Sequence, residues 1–278
     1  MQTKDLLKGM VLGGGAALLA FIGLEHTSFL DHTKPQNSFE KMVLFVSLPL
    51  GYFAATMIHE LGHLLTALAQ GFRFQMFVVT FLGLKNENGK VKTYFNTDMN
   101  LFGGIAAAVP AAPHPSNKRK FAYVLLGGPL ASIVLGIALM TGATFIYSPL
   151  RIFIGISGLL SCALFLATTI PSRSGGFFTD RARFQRLLKK DKTSEIEEAL
   201  LEITALRNSG IAIKDLDRAK LQLIQSDSEP MVQFIGHAYA HAQLIEIGEE
   251  ETARLHKAYM DELSTKLPSY MVKMLQNL

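Results

Sequence analysis

The feature that most constrains this chain is the length of its uncharged stretches. No Asp, Glu, Lys or Arg occurs from Met42 to Ile58, and after Glu60 none appears until Arg73. Phe121–Leu150 and Ile152–Ser172 are likewise free of formal charge, and Gly9–Leu24 is a shorter stretch of the same kind. A bilayer core of about 30 Å needs roughly 20 apolar residues per helix. With 18% charged residues and a mean hydropathy of +0.25, against about 25% charged in soluble domains, the chain is expected to be an integral membrane protein. The net charge of +4 is spread over the ends of the apolar segments, which membrane topology asks for. No basic stripe is interleaved with exposed aromatics, so nucleic acid is not an expected partner. Cys162 alone supports neither a disulfide framework nor a cysteine metal site.

Four spans follow, at about 9–24, 39–70, 121–150 and 152–172. They place Lys4, Lys8, the Arg73–Lys92 region, Lys118-Arg119-Lys120 and the Arg173–Lys190 cluster on one side. The positive-inside rule makes that side, with both termini, cytoplasmic. Residues 74–82 and 91–95 are rich in β-branched and aromatic residues around Asn86-Glu87-Asn88-Gly89, which predicts a β-hairpin. Residues 99–117 carry Gly103-Gly104 and three prolines, which predicts a re-entrant or interfacial segment and not a span. Beyond Thr193 apolar residues recur at three and four, with breaks at Gly210, Ser226–Ser228, Gly248 and Pro268, as in antiparallel water-soluble helices. The expected fold is therefore an all-α membrane protein of about four transmembrane helices with a small β-hairpin and a re-entrant segment, plus a C-terminal soluble helical domain. Its expected parts are 1–38 (first span and external loop), 39–183 (membrane core) and 184–278 (cytoplasmic helices).

Inside the second span the chain reads His59-Glu60-Leu61-Gly62-His63. Histidines four apart on a helix share a face and can reach one metal ion, while the glutamate between them can take a proton from water there. An ionisable group in such an apolar setting is costly and is by default a functional candidate. A catalytic zinc needs a third protein ligand and an open position. Asp180 lies just past the last span, at the end toward which the histidines point; Asp98, bordering the apolar 99–117 stretch, is its rival. Glutamates downstream, such as Glu87 and Glu195, lie in polar segments that suit a ligand poorly. His237 and His241 repeat the four-residue spacing, but no carboxylate follows the first, and helix packing explains them. Glu40 and Lys41 read as markers of the membrane interface.

Taken in order, the histidine helix, a hairpin, a helix opening with Gly127-Gly128-Pro129 and a last core helix followed by Asp180 resemble the site-2 protease family of intramembrane zinc metalloproteases over about residues 40–183. The resemblance implies a three-helix core, one zinc ion held by His59, His63 and Asp180, Glu60 as general base, and hydrolysis of peptide bonds in membrane-embedded proteins or peptides. It also implies that the hairpin offers a strand edge to unwound substrate. Thr179-Asp180-Arg181 stands where the family's Leu-Asp-Gly would be, and Thr168-Thr169-Ile170-Pro171 where an asparagine element would be. No inserted sensor domain is visible, so a regulatory protein at the C-terminal helices is a further expected partner. The expected location is a bacterial cell membrane. The alternative is a catalytically silent membrane scaffold that binds partners through those helices.

Overall fold

A computed structural model of the chain describes residues 28–87, 89–174, 177–267 and 272; the expected span at 9–24 and the last helical segment at 269–278 fall outside these, apart from 272. Among the described residues three helices are long and apolar enough to cross a membrane: α2 (Ser38–Ala69), α3 (Asn117–Ala143) and α4 (Leu150–Thr169), preceded by a short α1 (Ser28–Thr33). At 1.5 Å per residue α2 is about 48 Å long, more than the hydrocarbon core needs.

These helices meet through small residues. On α2 a stripe at steps of four (Ser47, Gly51, Ala55, His59, His63, Ala67) is buried, while Phe45, Leu48, Leu65 and Leu68 face outward. On α3 the buried face carries Gly128, Ser132 and Gly136, and Leu130, Val134 and Ile137 are exposed. Lipid is as apolar as leucine, so large side chains gain nothing by turning inward, whereas small ones allow close backbone packing. A Cβ added at Gly51 would sit 3.1 Å from Ser157 Oγ, and one at Gly136 would sit 2.5 Å from Cys162 Sγ.

At the end of the bundle away from the histidines, Glu40 is buried. Arg151 grips it with two hydrogen bonds of 3.0 and 2.9 Å and donates a third, of 2.8 Å, to the His32 carbonyl. The Asn37 side chain accepts from the Glu40 N–H while Glu40 accepts from the Gln36 N–H, fastening the start of α2. Because α1 and the α3–α4 connection meet here, this end lies opposite the end that receives α2's C-terminus.

Between α2 and α3 the expected hairpin is one part of a four-stranded antiparallel sheet: β1 (Phe72–Val79), β2 (Leu82–Glu87), β3 (Lys90–Phe95) and β4 (Ile105–Pro110), in the order β3-β2-β1-β4. Thr80 adopts φ of 49° at a tight β1–β2 turn, which cuts the apolar run that the sequence presents as one strand. In the expected re-entrant or interfacial segment, after a single helical turn at Met99–Leu101, residues 105–110 form an edge strand paired with β1. Its prolines end the strand and shape the loop into α3 instead of breaking a helix.

Two short strands, β5 (Arg173–Ser174) and β6 (Phe177–Phe178), lead to α5 (Asp180–Leu188), followed by α6 (Lys192–Asn208), α7 (Arg218–Gln225), α8 (Pro230–Glu246) and α9 (Glu250–Ser264). Ile196, Ile203, Leu221, Ile224 and Val232 build a core among α6, α7 and α8. The helices after the last span are not set apart from the sheet and the spans. Leu187 and Leu201 share a cluster with Ala67, Phe72, Phe121 and Leu125, and Asn208 Nδ2 donates to the Pro110 carbonyl.

Candidate metal centre

The small-residue stripe of α2 ends in the two histidines, and the packing that buries the stripe also orients their rings. His63 Nδ1 lies 2.7 Å from the Val124 carbonyl, and His59 Nδ1 lies 2.9 Å from Ser132 Oγ, both on α3. A carbonyl only accepts, so His63 Nδ1 carries the proton and its Nε2 presents a lone pair; partners of this kind set ring orientation at metal sites. Gly127 and Gly128 make the approach possible. A Cβ at Gly62 would run into the Gly127 carbonyl, and one at Gly128 would overlap the His63 ring.

Asp180, the first residue of α5, is brought to this point by Thr179. The Thr179 hydroxyl donates to the Ile170 carbonyl at 2.9 Å and accepts from the Ser172 N–H at 3.1 Å, folding the chain back over the end of α4. Farther along α5, Arg186 donates to Glu197 on α6 at 2.7 Å and to Asp227, just past α7, at 2.6 Å, in a buried network. The C-terminal helices thereby hold the element that presents Asp180.

The result is a cluster of donor atoms in which His59 faces Asp180 Oδ2 and His63 faces Asp180 Oδ1. His59 Nε2 and His63 Nε2 are 3.3 Å apart, and each is 3.2 Å from an Asp180 carboxylate oxygen. Three ligands at about 2.0–2.1 Å around a tetrahedral zinc would stand about 3.3 Å apart, so the donor spacing fits that ion. Asp180 Oδ2 is buried and no donor is aimed at it, which leaves an acceptor for a cation to satisfy. Among the described residues this is the one group of three such side chains close enough to share a metal ion.

Glu60 is buried beside this group, on the side covered by β4. The Ala106 N–H reaches its carboxylate, and a Cβ at Gly104 would come within 2.7 Å of its Oε1. Residues 104–106 carry no periodic signal for seating the glutamate, because the segment lacks the alternation that marks a strand. Asp98 is not in the cluster; its N–H donates to the Asn96 side chain in the loop after β3. His237 and His241 also stay apart from a metal group: His241 faces the Ala253 carbonyl, and His237 packs against His256 and Tyr259. Ser132, Thr179 and Arg186 were missed by sequence reasoning; the nearest hint was a lone serine four residues beyond Gly128.

The chain matches the model of peptidase family M50 over residues 48–277. Over 163 residues, 58% of this chain, it is 31% identical to a curated protein of Synechocystis sp. named "Putative zinc metalloprotease", and the aligned part spans 33% of that protein's length. No solved structure matches it. Because the family match runs from the first third of the histidine helix through the C-terminal helices, the chain belongs to peptidase family M50, the site-2 protease family, whose members are metalloproteases.

Proposed function

We propose that the chain is an intramembrane zinc endopeptidase that hydrolyses peptide bonds of membrane-embedded proteins or peptides. The observation that carries this is the convergence of His59, His63 and Asp180 donors at 3.2–3.3 Å, with Glu60 buried alongside. One zinc ion per chain, held by these three side chains, would polarise a scissile carbonyl and acidify water to a pKa of about 7. Glu60 accepts the proton of the attacking water and delivers it to the leaving amine. Ser132 and the Val124 carbonyl keep the imidazoles turned toward the centre, and the packed faces of α2, α3 and β4 keep bulk water away from Glu60.

The reading extends to topology. The segment at 9–24 is a fourth span, both termini are cytoplasmic, residues 39–183 form the catalytic core and 184–278 a cytoplasmic helical part that can take a regulatory protein. The family and the basic residues at the Asp180 end support this arrangement in a bacterial cell membrane. The test is Glu60→Gln in the purified, zinc-loaded protein reconstituted into vesicles with a membrane-spanning substrate. Cleavage is expected to fall by at least a hundredfold with zinc content unchanged. Undiminished cleavage would remove Glu60 from the reaction, and stoichiometric zinc without turnover in the parent would favour the silent scaffold.

A further inference from the structure

A cavity of about 300 Å³ opens against the metal centre between α3, α4 and α5, lined by Leu125, Leu126, Pro129, Thr169, Asp180, Arg181 and Phe184. Apart from Asp180, whose charge faces the two histidines, its walls are apolar or hydroxylic with a single cation, Arg181. The three arginines of α5 differ in how they are satisfied. Arg183 pairs with Glu197, and Arg186 with Glu197 and Asp227. Among the described residues no carboxylate pairs with Arg181; its guanidinium lies 5.8 Å from the centre of the Phe184 ring. A ring face holds a guanidinium in place without neutralising it or occupying its N–H donors in the ring plane. A cation so held beside an apolar cavity that touches a metal-site residue is complementary to a ligand with an apolar stem and a carboxylate end.

We infer that Arg181 is a specificity-determining residue, and that the peptide residue seated in this cavity during cleavage bears a carboxylate, either an acidic side chain or a free C-terminus. This rests on the proposed peptidase function and names its substrate class. Because Arg181 is solvent-exposed, the preference is modest, about three- to fivefold in kcat/KM, and it fades as salt screens the pair.

The test uses the zinc-loaded protein in vesicles with two matched peptide pairs: Glu against Gln next to the scissile bond, and a free C-terminus against its amide. The ratio within each pair is read for the parent, Arg181→Gln, Arg181→Lys and Arg181→Glu. One pair, naming the carboxylate's source, should give a parent ratio of three to five, near one in Arg181→Gln, retained in part in Arg181→Lys and below one in Arg181→Glu. Binding of the same labelled peptides to the Glu60→Gln protein, read by fluorescence anisotropy, should show the same order without turnover. Ratios near one in both pairs for the parent, or ratios indifferent to residue 181, overturn the inference while leaving the peptidase reading intact. No cleavage of any peptide by the parent, with no carboxylate preference in binding, overturns both.

Discussion

Gly128→Ala separates the packing of the metal centre from the stability of the fold. The added Cβ would lie 2.6 Å from His63 Cδ2 and 2.8 Å from Cε1, with Nε2 closer still. Ordinary contact begins at about 3.5 Å, so the ring or helix α3 must retreat by roughly 1 Å. In the helix interior alanine is favoured over glycine by about 0.5–1 kcal/mol, whereas overpacking costs about 1–3 kcal/mol, so the net loss is about 0–2.5 kcal/mol and the fold should survive. A metal site tolerates only about 0.2 Å in its ligand distances, so the same displacement should weaken zinc binding by at least tenfold. Gly142→Ala, on the same helix with nothing within 4 Å of its added Cβ, is the control. Zinc affinity is measured by competition with a chelating dye, beside the thermal midpoint of each variant in detergent. Parent-like affinity in Gly128→Ala would refute the reasoning, as would equal loss in the control.

Asp180→Ala should abolish stoichiometric zinc by elemental analysis while Asp98→Ala retains it; the reverse result would transfer the third ligand to Asp98. Glu197→Ala leaves the buried Arg186 with Asp227 alone. It should cost about 3 kcal/mol, the low end for a broken buried pair, and also lower zinc retention because α5 carries Asp180; a lower thermal midpoint with unchanged zinc would uncouple the two. His237 is pushed down to about 4 by desolvation and then by the neighbouring His256. It is neutral in the fold but takes up a proton near 6.5 when unfolded, so its contribution to stability is present above pH 6.5 and lost as the pH falls toward 4. His237→Phe keeps the ring against Tyr259 and should reduce the drop in thermal midpoint between pH 7 and pH 5; an equal drop would discount this residue.

Much of this arrangement was legible in the residues because it depends on local spacing. Long apolar runs with at most one charged residue inside them have one inexpensive environment, so three of the expected spans correspond to α2, α3 and α4, broken near the expected Tyr147-Ser148-Pro149 connection. Histidines at i and i+4 must share a helix face, and Gly127-Gly128 had to admit a neighbouring backbone. The sheet was read only in part. Thr80 turns the chain inside an apolar run, and β4 is a strand because β1 offers it hydrogen bonds, a reason that residues 105–110 do not themselves contain.

What the sequence determined alone was the membrane setting, the paired histidines with Glu60 between them, and a choice between two aspartates, since each follows from periodicity and the cost of burying charge. What only the tertiary structure decided was which groups far apart in the chain meet. Asp180, and not Asp98, joins the histidines; Ser132 and Val124 turn their rings; Arg151 finds Glu40 across 111 residues. Such pairings depend on how helices pack against one another in three dimensions, and no period along the chain encodes that.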